Sequence, residues 1–269
     1  MFQVVIPVLN QHETTERVVQ SWFDLSKYRV PFLFIDNGSD EPLAEQEFFK
    51  RWAKSYDVRV HRNEKNIGVY PTFQQGYDLT QGSTFIFYSH NDVEMVEPGW
   101  DVKMSHVLQE LCWSPMKPGV CGMFGARGIG TPDIYKVPYH FTQLMRWECT
   151  TVESMAGAGG EKIQSHHKRV MVLDGFSLIV RRSMLRDKDV VFDHENYPPH
   201  HCYDLDICLM SHFAGYTNHV IDVDCIHHGG VTSTRERWAE DMDTTDLKTH
   251  RAAHEVMYKK YLNKLPVHV

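Results

Sequence analysis

Thr84-Phe85-Ile86-Phe87-Tyr88, running on into Ser89-His90-Asn91-Asp92-Val93-Glu94, is the stretch that decides the fold. This run reads as the fourth strand of the sheet. The polar cluster closing it stands at the strand's carboxyl end, where open α/β sheets bind their ligands.

Upstream, strands and helices alternate, which predicts a mostly parallel sheet with helical crossovers. Phe2 to Pro7 is the first strand, and after a turn at Asn10 a helix places Val18, Val19, Trp22 and Phe23 on one face. Pro31 to Ile35 is the second, ending in the turn Asp36-Asn37-Gly38-Ser39-Asp40 before a helix with Phe48, Phe49 and Trp52 buried. Val58 to His61 is the third strand, and Asn66-Ile67-Gly68 opens a helix expected to end near Gly82.

Downstream, Pro98 to Leu111 reads as a helix and Val120 to Phe124 as a strand. From 125 to 168 the pattern dissolves into Gly and Pro, and a long mobile loop is expected. Order returns at Val170 to Arg181, with a helix over Asp204 to Ala214, a strand over Val220 to Val223 and a C-terminal helix over Thr244 to Leu262.

The chain has 269 residues, 42% hydrophobic and 23% charged, with a net charge of −7. That length buries a sizeable core, and no global basic field would draw it onto nucleic acid or anionic lipid. The opening run lacks the features of a secretory signal, and no segment has the roughly 18 consecutive apolar residues of a membrane span. Six cysteines without a CxxC pair fit reduced thiols, so a soluble cytoplasmic protein is expected.

Four clusters carry chemistry. His90, Asn91, Asp92 and Glu94 suit a divalent cation, although polar residues closing a strand would look similar. Asp36 can accept from a nucleobase or a ribose hydroxyl, or simply cap the next helix as an Asx turn. His200-His201-Cys202-Tyr203-Asp204-Leu205-Asp206 sets acids and imidazoles just before a helix. There Asp204 and Asp206 either cap or react, and zinc on His200, His201 and Cys202 is disfavoured because adjacent ligands diverge. His227-His228, before a Gly pair, can return an imidazole to the sheet's ligand edge.

Taken in order, these pieces resemble the inverting GT-A glycosyltransferases of family two over roughly residues 2 to 233. Val4-Val5-Ile6-Pro7-Val8-Leu9-Asn10 looks like that family's opening strand, and Phe34-Ile35-Asp36-Asn37-Gly38-Ser39-Asp40 is similar to its acidic turn. Asn66-Ile67-Gly68, with Gln74 and Gly76, resembles its next signature, Gln74 replacing the usual Asn. His90-Asn91-Asp92 falls at its Asp-x-Asp motif with His90 in place of the first acid, and Pro98-Gly99-Trp100 matches the continuation. Asp174-Gly175-Phe176 and Tyr203-Asp204-Leu205-Asp206-Ile207 resemble its acceptor-side and catalytic stretches, with Tyr203 where Glu often precedes the acid.

The resemblance implies an α/β, Rossmann-like GT-A fold: a mostly parallel central sheet flanked by helices, with a smaller acceptor-side sheet. Residues 1–95 would form the nucleotide-sugar half, 96–233 the acceptor half and 234–269 a C-terminal helical extension. A nucleoside-diphosphate sugar, UDP-linked by family analogy, would be held by Pro7, Val8, Asn10, Asp36, Asn66, Gly68 and Asn91. Mn2+ or Mg2+ would be bound by Asp92 with His227 or His228, and Asp204 would act as general base. The acceptor is left open among a glycan, a lipid-linked sugar, a protein and a modified nucleic acid. Two rival readings stand beside this one. A nucleotidyltransferase would use a similar sheet, but the chain lacks a glycine-rich, Lys-bearing phosphate loop near its start. A catalytically inactive nucleotide-sugar-binding protein is suggested by His90.

Overall fold

The computed structural model describes residues 1–130, 147–149, 153–154, 161–186, 190–229 and 246–269. The chain opens with β1 (Phe2–Val8), α1 (His12–Leu25), β2 (Phe32–Asp36), α2 (Glu47–Ser55), β3 (Val58–Arg62), α3 (Val69–Leu79) and β4 (Phe85–Ser89). A three-residue strand β5 (Val93–Met95), α4 (Trp100–Trp113) and β6 (Pro118–Gly122) follow. Then come the short strands β7 (Phe124–Ala126), β8 (Gly128–Ile129), β9 (Trp147–Cys149), β10 (Glu153–Ser154), β11 (Glu161–Lys162), β12 (His167–Val170) and β13 (Val172–Leu173). β14 (Ser177–Arg181), α5 (Tyr203–Phe213), β15 (Thr217–Ile221), β16 (Cys225–His227), α6 (Asp246–Tyr261) and β17 (Val267–His268) complete it.

The central sheet has eight strands in the order β12-β15-β6-β14-β4-β1-β2-β3. β1, β2, β3 and β4 are parallel, as are β6 and β15, whereas β14 runs antiparallel between β4 and β6. The expected α/β architecture is therefore present, with an eight-stranded sheet and smaller antiparallel sheets beside it. α3 stops at Leu79, short of Gly82, where Thr80 turns to extended backbone (φ −101°, ψ 142°) while its N–H and hydroxyl close the last turn on the Gly76 carbonyl. Most of the segment expected to be a mobile loop lies outside the described residues, and its described parts include short paired strands. The expected boundary near 233 also lies outside them.

Alternation along β4 builds both cores, since successive side chains of a strand point to opposite faces. Phe87 meets Trp22 with ring centroids 5.2 Å apart, in a cluster that also holds Phe2 and Trp100. Its neighbour Tyr88 stacks on Phe73 at 4.5 Å and meets Phe192 at 5.4 Å, in the cluster on the other face. Aromatic pairs of this kind contribute about 0.5–1.5 kcal/mol each beyond area burial. They hold the carboxyl end of β4 rigidly between two helical layers.

The C-terminal helix is tied to the sheet through a buried carboxylate. Asp206 on α5 accepts from Tyr197 Oη (2.9 Å), Tyr261 Oη (2.7 Å) and Lys260 Nζ (3.0 Å), and Lys260 also reaches Asp193 at 3.0 Å. Burial pushes the Asp206 carboxyl up, opposed by these partners. Such a group is tolerated because it is fully hydrogen-bonded. Lys260→Met should lower unfolding stability at neutral pH by on the order of 2–3 kcal/mol, because Asp206 keeps its tyrosines and loses its counter-charge. Urea denaturation checks this, and adding Asp206→Asn to the same chain should recover part of the loss.

Candidate functional site

A cleft of about 290 Å³ opens at the carboxyl ends of β1, β2 and β4. Pro7 and Val8 come from the end of β1, Asn37 from the residue after β2, and His90, Asn91 and Asp92 from the turn after β4. Asn66, His201, Tyr203 and His227 close its other sides. Asn91 is buried and donates through Nδ2 to Thr15 Oγ1 at 2.9 Å, and Trp22 Nε1 donates to the Val93 carbonyl at 2.6 Å. These bonds fasten the turn to α1.

The pairing of β5 with β16 assembles the cleft's polar end. The two strands are antiparallel, with Val93 opposite His227 and Glu94 opposite Ile226. One further ladder bond runs from the His228 N–H to the Asp92 carbonyl at 3.0 Å. Side chains of adjacent strand residues face opposite ways, so the two imidazoles part company. His227 turns inward, with Nε2 3.3 Å from Oδ1 of Asp92 and its ring stacked on Phe176 at 4.5 Å. His228 turns away and binds Glu94 Oε2 at 2.6 Å.

His90 joins the pair. Ligand atoms of His90, Asp92 and His227 all lie within 4.8 Å of one another, the one such trio among the described residues. Nε2 of His90 is 2.8 Å from Tyr203 Oη, while its Nδ1 faces Asp92 Oδ1 at 4.0 Å. A proton on Nε2, donated to Tyr203, leaves the Nδ1 lone pair directed at the carboxylate. Burial pulls the His90 imidazole down from its ordinary value, despite the charge on Asp92. Burial acts to raise the Asp92 carboxyl, but contact with His227 and the charge of His90 outweigh it and hold the group low. Among the described residues, Asp92 Oδ1 and both ring nitrogens of His227 are buried with no hydrogen-bond partner. An imidazole and a carboxylate left unsatisfied in this way, with Nδ1 of His90 facing them, form a donor set that fits a divalent cation.

A second cavity of about 240 Å³ adjoins the first, sharing His201 and Tyr203 with it. Asp204 lies on it, accepting from the Gly175 N–H at 3.0 Å and from the Leu205 N–H at 2.8 Å. Burial, and then the neighbouring Asp174 charge, pushes its carboxyl up to about 7. Tyr203 crosses Gly175 so closely that a Cβ there would fall 2.3 Å from Tyr203 Oη, which ties the position of this phenol to the glycine.

Several expected ligand residues stand elsewhere. Asp36 does not line the cleft: its two oxygens cap the Ser39 and Leu43 N–H groups and pair with Arg62, so the Asx-turn reading describes its contacts. Asn10 steadies the same turn by accepting from the Asp40 N–H at 2.9 Å. Gly68 is not on the cleft wall either; at φ +89° it lets the chain pass Pro199, which a Cβ would meet at 2.3 Å. His228 is drawn off by Glu94. His90, suited to a cation by residue type but left out of the metal set that the family resemblance implies, belongs to the trio, and Tyr203 and Asn37, to which the sequence assigned no site role, line the cleft.

The sheet order and its flanking helices are those of the GT-A fold. Residues 3–110, fewer than half of the chain, match the family described as Glycosyl transferase family 2. No curated protein matches the chain by sequence. Among solved structures, S. aureus TarS 1-349 superposes with a TM-score of 0.59 at 12% identity, covering 97% of this chain and 70% of that one. GalNAc-T7 with UDP, GalNAc and Mn2+ gives 0.61 at 15% identity, covering 84% of this chain and 43% of that one. The mannosyltransferase PcManGT from Pyrobaculum calidifontis, with GDP-Man and Mn2+, gives 0.53 at 12%, covering 98% and 70%. At such identities the likeness speaks for the fold alone. Among the described residues, no helix is long and apolar enough to cross a membrane.

His227→Ala should weaken Mn2+ binding about tenfold or more, whereas His228→Ala should change it less than about threefold. Calorimetric titration with Mn2+ separates the two, and equal losses would show that His228 also holds the ion.

Proposed function

We propose that the chain is an inverting glycosyltransferase that takes a nucleoside-diphosphate sugar, UDP-linked in the first instance, and transfers the sugar to an acceptor hydroxyl. The observation that carries this reading is the juxtaposition of the His90, Asp92 and His227 trio, its last two members buried, with a carboxylate raised to about 7 across a shared cavity wall. Asn37, Asn66 and Asn91 offer amide donors and acceptors to the nucleotide, and the Asn66 amide nitrogen is buried with no partner among the described residues. Pro7 and Val8 supply an apolar floor. The cation, when bound by Asp92, His90 and His227, offsets the charge of the departing diphosphate.

Asp204 is placed to take the proton of the acceptor hydroxyl. A general base works best with a pKa near the operating pH, and burial beside Asp174 gives this carboxyl that character. As the proton moves to Asp204, the acceptor oxygen bonds to the anomeric carbon and the bond to the diphosphate breaks on the opposite face, giving inversion. Tyr203 serves as a positioning residue: its hydroxyl fixes the His90 ring, and it stands where the family pattern often has Glu. The two departures from the family pattern on the cleft, His90 and Tyr203, therefore touch each other. A nucleotidyltransferase would release pyrophosphate in place of free UDP, so product analysis distinguishes the two. Donor hydrolysis dependent on Mn2+ or Mg2+ excludes the inactive binding protein.

Three measurements bear on this reading. Asp204→Asn should lower turnover about 10²- to 10⁴-fold and preserve UDP binding; near-normal turnover would refute the base assignment. Because the carboxyl is protonated below about pH 7, kcat/KM should rise as pH increases through that value, and Asp174→Asn should move the inflection downward. Tyr203→Phe should weaken Mn2+ binding by about 10-fold or more in a calorimetric titration, since removing a hydrogen-bond partner of a ligating imidazole typically costs that much. Screening nucleotide sugars for thermal stabilisation, with and without Mn2+, identifies the donor.

A further inference from the structure

The far edge of the central sheet carries a group of histidines that sugar transfer does not use. β12 is the last strand in the eight-stranded order, whereas the cleft opens at β1, β2 and β4. His167 begins β12 and His166 precedes it, its carbonyl fastened by the Asp222 N–H at 2.9 Å. On α4, His106 and Glu110 stand four residues apart, which sets them one above the other on one helix face. None of the four lines the cleft or the cavity beside Asp204.

Glu110 lies between the two strand-side imidazoles. Its Oε2 is 3.4 Å from His166 Nδ1 and its Oε1 is 3.9 Å from His167 Nε2. The His106 ring meets the His166 ring at 6.4 Å. Adjacent residues of a regular strand send their side chains to opposite faces, but His166 lies ahead of the strand, and both rings reach the same carboxylate. The second approach is too long for a hydrogen bond. Burial pulls the His167 imidazole down, opposed by the Glu110 charge, so the contact is not that of a firm ion pair. Beneath it, the buried His219 meets the His167 ring edge to face at 5.2 Å, and His219 Nδ1 has no hydrogen-bond partner among the described residues.

Zinc binds imidazole nitrogen and carboxylate oxygen at about 2.0–2.2 Å, which spaces neighbouring ligand atoms of a tetrahedron roughly 3.3–3.6 Å apart. The His166 to Glu110 separation already has this value, and the His167 to Glu110 separation exceeds it by a few tenths of an ångström. The group converges less tightly than the cleft trio. His106, Glu110 and His166 are exposed, and rotation about their side-chain bonds closes the remainder.

We infer that His106, Glu110, His166 and His167 form a second metal site, one for Zn2+, that clamps α4 to the edge strand β12. Imidazoles with a single carboxylate suit Zn2+ better than Mg2+ or Ca2+, which favour oxygen ligands throughout. An edge strand exposes unpaired backbone groups, and a clamp to the neighbouring helix holds such a strand in place. The inference stands apart from the transfer reading, since it uses no residue of the cleft.

The test adds Zn2+ stepwise to the full chain with isotope-labelled histidines, whose His90 and His227 signals report the cleft separately. Zn2+ should shift the His106, His166 and His167 imidazole signals, and Mg2+ should leave them in place. Glu110→Gln, with His166→Ala as a second variant, should weaken the response at His167 about tenfold or more, because even the outer partners of a metal ligand typically contribute that much. An unchanged thermal midpoint without Zn2+ shows that each variant is folded, and Zn2+ should raise the midpoint of the unaltered chain by more than that of either variant. Zn2+ shifts confined to His90 and His227, no shift at all, or an undiminished response at His167 in both folded variants would overturn the inference.

Discussion

A short antiparallel ladder between Val93–Met95 and Cys225–His227 decides what the cleft can do, because it sets an imidazole from late in the chain against a carboxylate from its first half. Two three-residue strands would not be stable alone in water. They persist because Trp22 donates to the Val93 carbonyl, Trp100 donates to the Trp22 carbonyl at 3.0 Å, and Phe176 covers the His227 ring. The aromatic cluster around β4 is thus a support for the site as well as a core. Its rigidity keeps Asp92 and His227 close despite the unsatisfied groups they bury.

Much of the fold was legible in the sequence. The alternation of apolar runs with amphipathic segments places β1 to β4 and their helices. The candidate site was legible only in part. Asp92 and Asp204 could be picked out because each follows a recognisable pattern. The choice between His227 and His228 could not be read from the chain, since both are imidazoles and only the register of β16 against β5 says which one turns inward. The contact between Tyr203 and His90 spans 113 positions and leaves no local signal. Asp36 shows the reverse: its pattern suggested a ligand, yet Ser39, Leu43 and Arg62 occupy its oxygens.

Electrostatics divides the two cavities. In the cleft, a carboxylate kept low beside two imidazoles makes a site receptive to positive charge. Across the wall formed by His201 and Tyr203, burial and the repulsion of Asp174 keep Asp204 ready to receive a proton. Two acids on neighbouring elements thus differ in character because their surroundings push them in opposite directions.

The bond from Lys260 to Asp206 also bears on how the molecule comes to be assembled. Asp206 lies two residues beyond Asp204 on the same helix turn, and its buried charge has no cationic partner until the C-terminal helix docks. On a ribosome, the sheet and the donor cleft can be laid down while that helix is still unsynthesised. The buried charge on the helix carrying Asp204 is offset only when residue 260 has emerged, so the segment that carries the proposed base is among the last parts of the chain to settle.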